Sequence, residues 1–240
     1  MSRIGFYEST QSLISGRLLF EALGTYFLVL VGTKAATDAT MSNAIAGAPT
    51  GSTGVALAFS ATLAILVYAL GPRTGAHLNP AVTLAALLVG AIRDVQAVAY
   101  MIAQVVGAVL ASLTLRLTLP HRDVTRAKLG LTALAPGYDR WSLLVYEFLG
   151  TLLLVLAVLF AAVSSRVHAA AAGVTVGGAL FAAVLFAGPV TGGGINPARV
   201  LGPMFLTGIF TNWWLYLLAE LLGAWVAVLL YRSYGGVQAP

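Results

Sequence analysis

"GGGINPARV", residues 192–200, sets three glycines, an Asn-Pro break and an arginine between apolar runs. "GAHLNPAVT", residues 75–83, repeats the same Asn-Pro-Ala tripeptide in a similar apolar setting. The solvent around these breaks decides how they are read. The 240-residue chain is 59% hydrophobic and 9% charged, with a mean hydropathy of +0.92. A soluble domain carries roughly 25% charged residues. So few charges cannot cover a water-facing surface, and lipid is the expected solvent. The net charge of +5 comes with no basic stripe and no interleaving of basic and aromatic residues, which argues against nucleic acid as a partner. The loop charges are expected to face lipid headgroups. There are no cysteines, which removes disulfides, thiol catalysis and Cys-ligated metals together. Mercurials are therefore expected not to block any pore by thiol capture; rapid mercurial block in a flux assay would contradict this.

About 20 mostly apolar residues are needed for a helix to cross the hydrocarbon core. Six such spans can be read, at about 17–36, 54–71, 95–117, 141–163, 169–187 and 212–232. Runs such as "FLVLVG" and "LLLVLAVLF" do not alternate as barrel strands do. No signal-peptide pattern precedes the first run, so the first helix is expected to stay in the mature protein. Two further apolar stretches, about 79–91 and 196–208, are too short to cross, and each begins at an Asn-Pro-Ala motif.

The chain also repeats itself. "FEALGTYFLVLVG" at 20–32 resembles "YEFLGTLLLVLAV" at 146–158, and "YMIAQVVGAVLA" at 100–111 parallels "YLLAELLGAWVA" at 216–227. The two Asn-Pro-Ala motifs stand 117 residues apart. This predicts a single transmembrane domain over 1–240, with a first repeat at 1–120, a linker loop at 121–140 and a second repeat at 141–240. Three spans per repeat force the second to enter from the opposite face, giving an inverted repeat. With a cytoplasmic N-terminus, Arg3, Arg17, Arg73, Arg93, Arg166 and Arg232 fall inside and the other seven basic residues outside. That split carries no positive-inside bias, so charge does not assign the orientation.

Irregular backbone at membrane depth must be buried in protein or line a water-filled cavity. Each motif reads as a helix start, with Asn79 or Asn196 as N-cap, Pro80 or Pro197 in the first helical position, and small Ala81 or Ala198 next. A lone copy reads more readily as a loop turn capping a surface helix. Two copies in matched places of inverted halves predict re-entrant half-helices whose positive dipole ends meet near the midplane. Arg199, one residue past the second motif, either snorkels to the interface or lines a pathway. Gly192, Gly193 and Gly194 beside it favour a pore wall with bare carbonyls. Glu21 and Glu147 hold equivalent places in the first and fourth spans. A buried carboxylate needs donors, so each is expected to brace the N–H groups of a re-entrant loop; a proton relay is the competing reading. Glu220 matches Gln104 in the repeat and receives no role from the sequence. His77 is expected to support its loop, since His121 and His168 are too distant to complete a metal site.

These motifs resemble the aquaporin, or major intrinsic protein, family, and the resemblance covers roughly 17–232. It implies an all-α membrane protein of six transmembrane helices plus two re-entrant half-helices, a homotetramer with one pore per protomer, and a plasma-membrane location. It implies a passive channel for water, with no cofactor and no enzymatic activity. It also implies that Asn79 and Asn196 donate to solute, and that Phe59, Val184, Gly193 and Arg199 form an outer constriction. Strict water-channel filters in the family carry a His where this chain has Val184. The glycerol branch usually has an Asp after the Arg, where this chain has Val200. Tyr216 and Leu217 are likewise mixed between the two branches. The filter is therefore intermediate, and glycerol, ammonia, hydrogen peroxide and carbon dioxide join water as candidate solutes. A secondary transporter is the rival class, disfavoured because no titratable chain extends beyond the paired glutamates. An intramembrane enzyme lacks any HExxH, GxSxG or clustered His/Asp motif.

Overall fold

The computed structural model describes residues 14–40, 51–163 and 169–235; Arg3, Arg166 and His168 lie outside them. Among the described residues, six helices are long and apolar enough to cross a membrane. They are α1 (Ile14–Asp38), α2 (Gly51–Thr74), α4 (Asp94–Thr118), α6 (Arg140–Val158), α7 (Ala169–Thr191) and α9 (Trp213–Ser233). α6 runs on into a π-helical turn, Leu159–Val163. Two shorter helices, α3 (Pro80–Leu88) and α8 (Pro197–Thr207), start at the Asn-Pro-Ala motifs. At 1.5 Å per residue they reach only about 14 and 17 Å, roughly half the hydrocarbon thickness. The described secondary structure is entirely helical, as expected of an all-α membrane protein.

Two helix ends differ from the sequence reading. α2 and α7 were expected to stop near 71 and 187, before Pro72 and Pro189. Both continue through the proline, to Thr74 and Thr191. Each proline lacks the N–H that would bond the carbonyl four residues back, so each costs its helix one hydrogen bond. Gly75 and Gly192 then end the helices in the left-handed region, at φ 88° and 82°. Most of the 121–140 linker was expected to be loop; it holds a short helix, α5 (His121–Ala127), and a 3-10 turn, Lys128–Gly130. Asp139 caps α6 by accepting from the Ser142 N–H and hydroxyl, both at 2.8 Å. Those hydrogen bonds hold its carboxyl below the usual carboxylate range.

Packing pairs the elements in matched ways. α1 lies on α4 and α6 on α9, while α2 meets α7 across the two halves. Each half-helix rests on the last span of the other half, α8 on α4 and α3 on α9. Arginines seal these exchanges: Arg116 at the end of α4 donates to Leu206 O, and Arg232 at the end of α9 donates to Leu88 O. Each places a positive charge at the negative dipole end of a half-helix. Neither role was visible in the sequence, where both residues stood at the ends of spans and entered only the count of inside and outside charges. Small residues permit the close approach. A Cβ at Gly202 would lie 2.7 Å from Ala108 O, so α8 and α4 touch backbone to backbone.

Candidate functional site: paired re-entrant loops and the cavity between them

The loops before α3 and α8 share one backbone course. Left-handed residues fall at Gly75, Ala76 and Leu78 in the first and at Gly192, Gly193 and Ile195 in the second. Three of these are not glycine, so the conformation is held by tertiary hydrogen bonds against local preference. Glu21 Oε1 accepts from Thr74 Oγ1 at 2.7 Å and from the His77 N–H at 3.1 Å, and Oε2 accepts from the Leu78 N–H at 2.8 Å. Glu147 repeats the pattern with Thr191 Oγ1 at 2.5 Å, the Gly194 N–H at 2.8 Å and the Ile195 N–H at 2.7 Å. Both glutamates are fully buried.

Asn79 and Asn196 start the half-helices in extended conformation. Asn79 Oδ1 accepts from the Ala81 N–H at 2.8 Å, and Asn196 Oδ1 from the Ala198 N–H at 3.0 Å. Their amides also clasp the opposite loop: Asn79 Nδ2 donates to Ile195 O, and Asn196 Nδ2 donates to Leu78 O, both at 2.9 Å. A primary amide has two N–H groups. One of each pair is spent on the clasp, which leaves one per asparagine for the cavity both residues line. Pro80 and Pro197 occupy the first helical positions, and Ala81 and Ala198 are fully buried behind them.

One cavity is lined by His77, Asn79 and Asn196 together with Phe59, Val184, Gly193 and Arg199. Phe59 comes from α2, its ring lying where a side chain at Gly32 of α1 would otherwise be. The Arg199 guanidinium carbon sits 5.4 Å from the centroid of that ring, within cation–π range. Val184 and Gly193 are neighbours, since a Cβ at Gly193 would lie 3.6 Å from Val184 Cγ1. Arg199 Nη2 donates to Gly192 O at 3.3 Å. That carbonyl was expected to be bare; it is instead occupied by the arginine. Arg199 is 2% exposed, and its Nε and Nη1 have no partner among the described residues. Orphaned donors on a buried cation favour whatever acceptor enters the cavity. His77 Nδ1 lies 3.1 Å from Thr83 Oγ1, whose own hydroxyl donates to Asn79 O. Its ring packs edge-on against Tyr100, with centroids 5.4 Å apart. Among the described residues no group of three His, Cys, Asp or Glu could hold a metal ion.

The sequence reading missed several supports of the loops. Tyr100 donates to Thr74 O and Tyr216 to Thr191 O, while Gln104 donates to Glu21. The signal was present, because Thr74 and Thr191, like the two motifs, stand 117 residues apart.

A profile of the major intrinsic protein family, MIP, matches residues 8–231. The chain belongs to the major intrinsic protein family. This MIP chain is 35% identical to Nodulin-26 of Glycine max over 218 residues, covering 90% of this chain and 76% of that protein. It is 33% identical to aquaporin AqpM of Methanothermobacter thermautotrophicus over 238 residues, covering 91% and 97%. Its fold matches the X-ray structure of the aquaglyceroporin from Plasmodium falciparum, with a TM-score of 0.77, 22% identity, and coverage of 91% of this chain and 96% of that one. MIP proteins are passive channels and not enzymes, and this one is a multi-pass membrane channel for water and small solutes.

Proposed function

We propose that this MIP channel conducts water and also passes small neutral solutes of about the size of glycerol. The supporting observation is that Phe59, Val184, Gly193 and Arg199 meet around the same cavity as the two asparagines. In this reading the four residues form the filter, and the remaining N–H of Asn79 and of Asn196 orients each solute molecule. Glu21, Glu147 and His77 hold the loops in place. Arg199 and the paired half-helix dipoles repel cations and protons, a known device of such pores. The two halves of the chain act as one domain, 1–120 and 141–240, joined by the 121–140 linker. A homotetramer in the plasma membrane, with a pore in each protomer, completes the reading.

Leakage of glycerol has a specific support. Of the sixteen residues lining the cavity, only His77, Asn79, Asn196 and Arg199 carry polar side chains. A mostly apolar wall facing a few polar groups suits a short carbon chain bearing hydroxyls better than water alone. Reconstituted liposomes in stopped-flow light scattering test this with two shocks, an impermeant osmolyte and glycerol. Fast shrinkage followed by glycerol re-swelling is the expected result; shrinkage without re-swelling would limit the pore to water. The residue-level test is Val184→His, which adds bulk and an imidazole beside Gly193. Glycerol flux relative to water is expected to fall about tenfold, the effect of ~1.4 kcal/mol of added barrier. An unchanged ratio would remove Val184 from the filter.

A further inference from the structure

The hydrogen bonds around the two loops correspond almost one for one. Thr74, His77 and Leu78 donate to Glu21 as Thr191, Gly194 and Ile195 donate to Glu147. Tyr100 matches Tyr216, each donating to the threonine carbonyl. The exceptions gather at one pair of equivalent positions, 104 and 220. Gln104 Nε2 donates to Glu21 Oε2 at 2.8 Å, and the residue in its place beside Glu147 is Glu220.

Glu220 is fully buried in α9 and is not among the residues lining the cavity. Its Oε1 accepts from the Asn196 N–H at 3.1 Å, and its Oε2 has no partner among the described residues. The two carboxyls converge at Gly194: a Cβ there would lie 2.6 Å from Glu220 Oε1 and 2.9 Å from Glu147 Oε2. A carboxyl group donates only when it carries a proton. Two ionised carboxylates so close, both shielded from water, repel each other and lack compensation. The charged or titratable groups acting on the pair are Arg199, at the head of α8, and Tyr216, one turn earlier on α9. α3, which also packs on α9, has no titratable side chain. One arginine balances one carboxylate, which leaves the second to be neutral.

We propose that Glu147 and Glu220 share one proton, so that Glu220 replaces the Gln104 amide as the fourth donor to its loop glutamate and positions the Asn196 cap. The proton closes the ring of donors on the second loop as the Gln104 N–H closes it on the first. Glu220 acts through Asn196 and touches no solute, and the inference holds whichever solute the pore passes.

Infrared spectra of the full chain in lipid vesicles at neutral pH provide the test, with E220Q and E220L alongside wild type. Wild type is expected to show a protonated carboxyl C=O band above the amide I region, shifting in D2O. E220Q, which restores the amide of the first loop, is expected to lose that band yet keep water permeability near wild type. E220L orphans the Asn196 N–H and is expected to lose permeability roughly tenfold. A wild type without the band, a band that persists in E220Q, or an impermeable E220Q would each overturn the proposal. E220L as permeable as E220Q would remove the positioning role. Should E220L fail to fold, the spectrum and permeability of E220Q decide alone.

Discussion

Glu147→Leu abolishes conduction: reconstituted vesicles carrying it are expected to shrink at the rate of empty liposomes after an osmotic shock. The substitution removes the acceptor for the N–H groups of Gly194 and Ile195 at once, while the Thr191 hydroxyl keeps the Ala187 carbonyl at 3.0 Å. Each buried donor left unsatisfied costs about 1–3 kcal/mol. The two together cost about 2–6 kcal/mol, a large share of the roughly 5–15 kcal/mol by which a whole domain is stable. The second loop carries Ile195 in a left-handed conformation, which has no local reason to persist once those bonds are gone. Glu147→Gln keeps one acceptor oxygen and is expected to retain part of the conduction. Glu21→Leu tests the same logic in the first loop. Wild-type shrinkage by Glu147→Leu, at equal amounts of inserted protein, would show that the loop holds itself.

The second large effect falls on folding. Gly107→Val and Gly223→Val are expected to leave little monodisperse protein in detergent and to lower the thermal midpoint of what remains. A Cβ at Gly223 would lie 2.6 Å from Phe148 O and 3.1 Å from Leu152 N, and one at Gly107 would strike Ala22 O. In both cases the obstacle is backbone, which cannot swing aside as a side chain can. Overpacking ordinarily costs about 1–3 kcal/mol, and separating the α1–α4 or α6–α9 pair also strips the loop supports that α4 and α9 carry. Gly178→Ala is the matched control, since nothing lies within 4 Å of its added methyl. Alanine in an exposed helix interior is favoured over glycine by up to about 1 kcal/mol. A Gly223→Val protein as stable as the control would mean that the helices slide apart at small cost.

How much of the site was legible depended on whether the repeat carried it. Asn79 with Asn196 and Glu21 with Glu147 could be paired on the sequence, because each occurs twice within matching local sequence. Gln104 and Glu220 could be matched but not interpreted, since a mismatch shows that something changes without showing which atom faces which. Arg116 and Arg232 stood at the ends of spans and were counted only as inside or outside charges, although both close the ends of half-helices belonging to the other half. Nothing local in either residue's surroundings signals a partner 90 or 144 positions away. The ends of α2 and α7, at Thr74 and Thr191, lie past the apolar runs read from the sequence, because hydropathy marks what lipid surrounds and not where the backbone hydrogen bonds stop.

By itself the sequence determined the solvent, the helical class, the twofold internal repeat and the two breaks at the Asn-Pro-Ala motifs. These follow from composition and periodicity, which are properties of neighbouring residues in one chain. Only the tertiary structure decided that each asparagine spends one N–H on the opposite loop, and that Arg199 takes the Gly192 carbonyl and faces Phe59. The same is true of the two carboxyls that meet at Gly194. Hydrogen-bond donors and acceptors act over about 3 Å, and the groups concerned come from elements far apart in the chain. Their pairing exists only once those elements have packed.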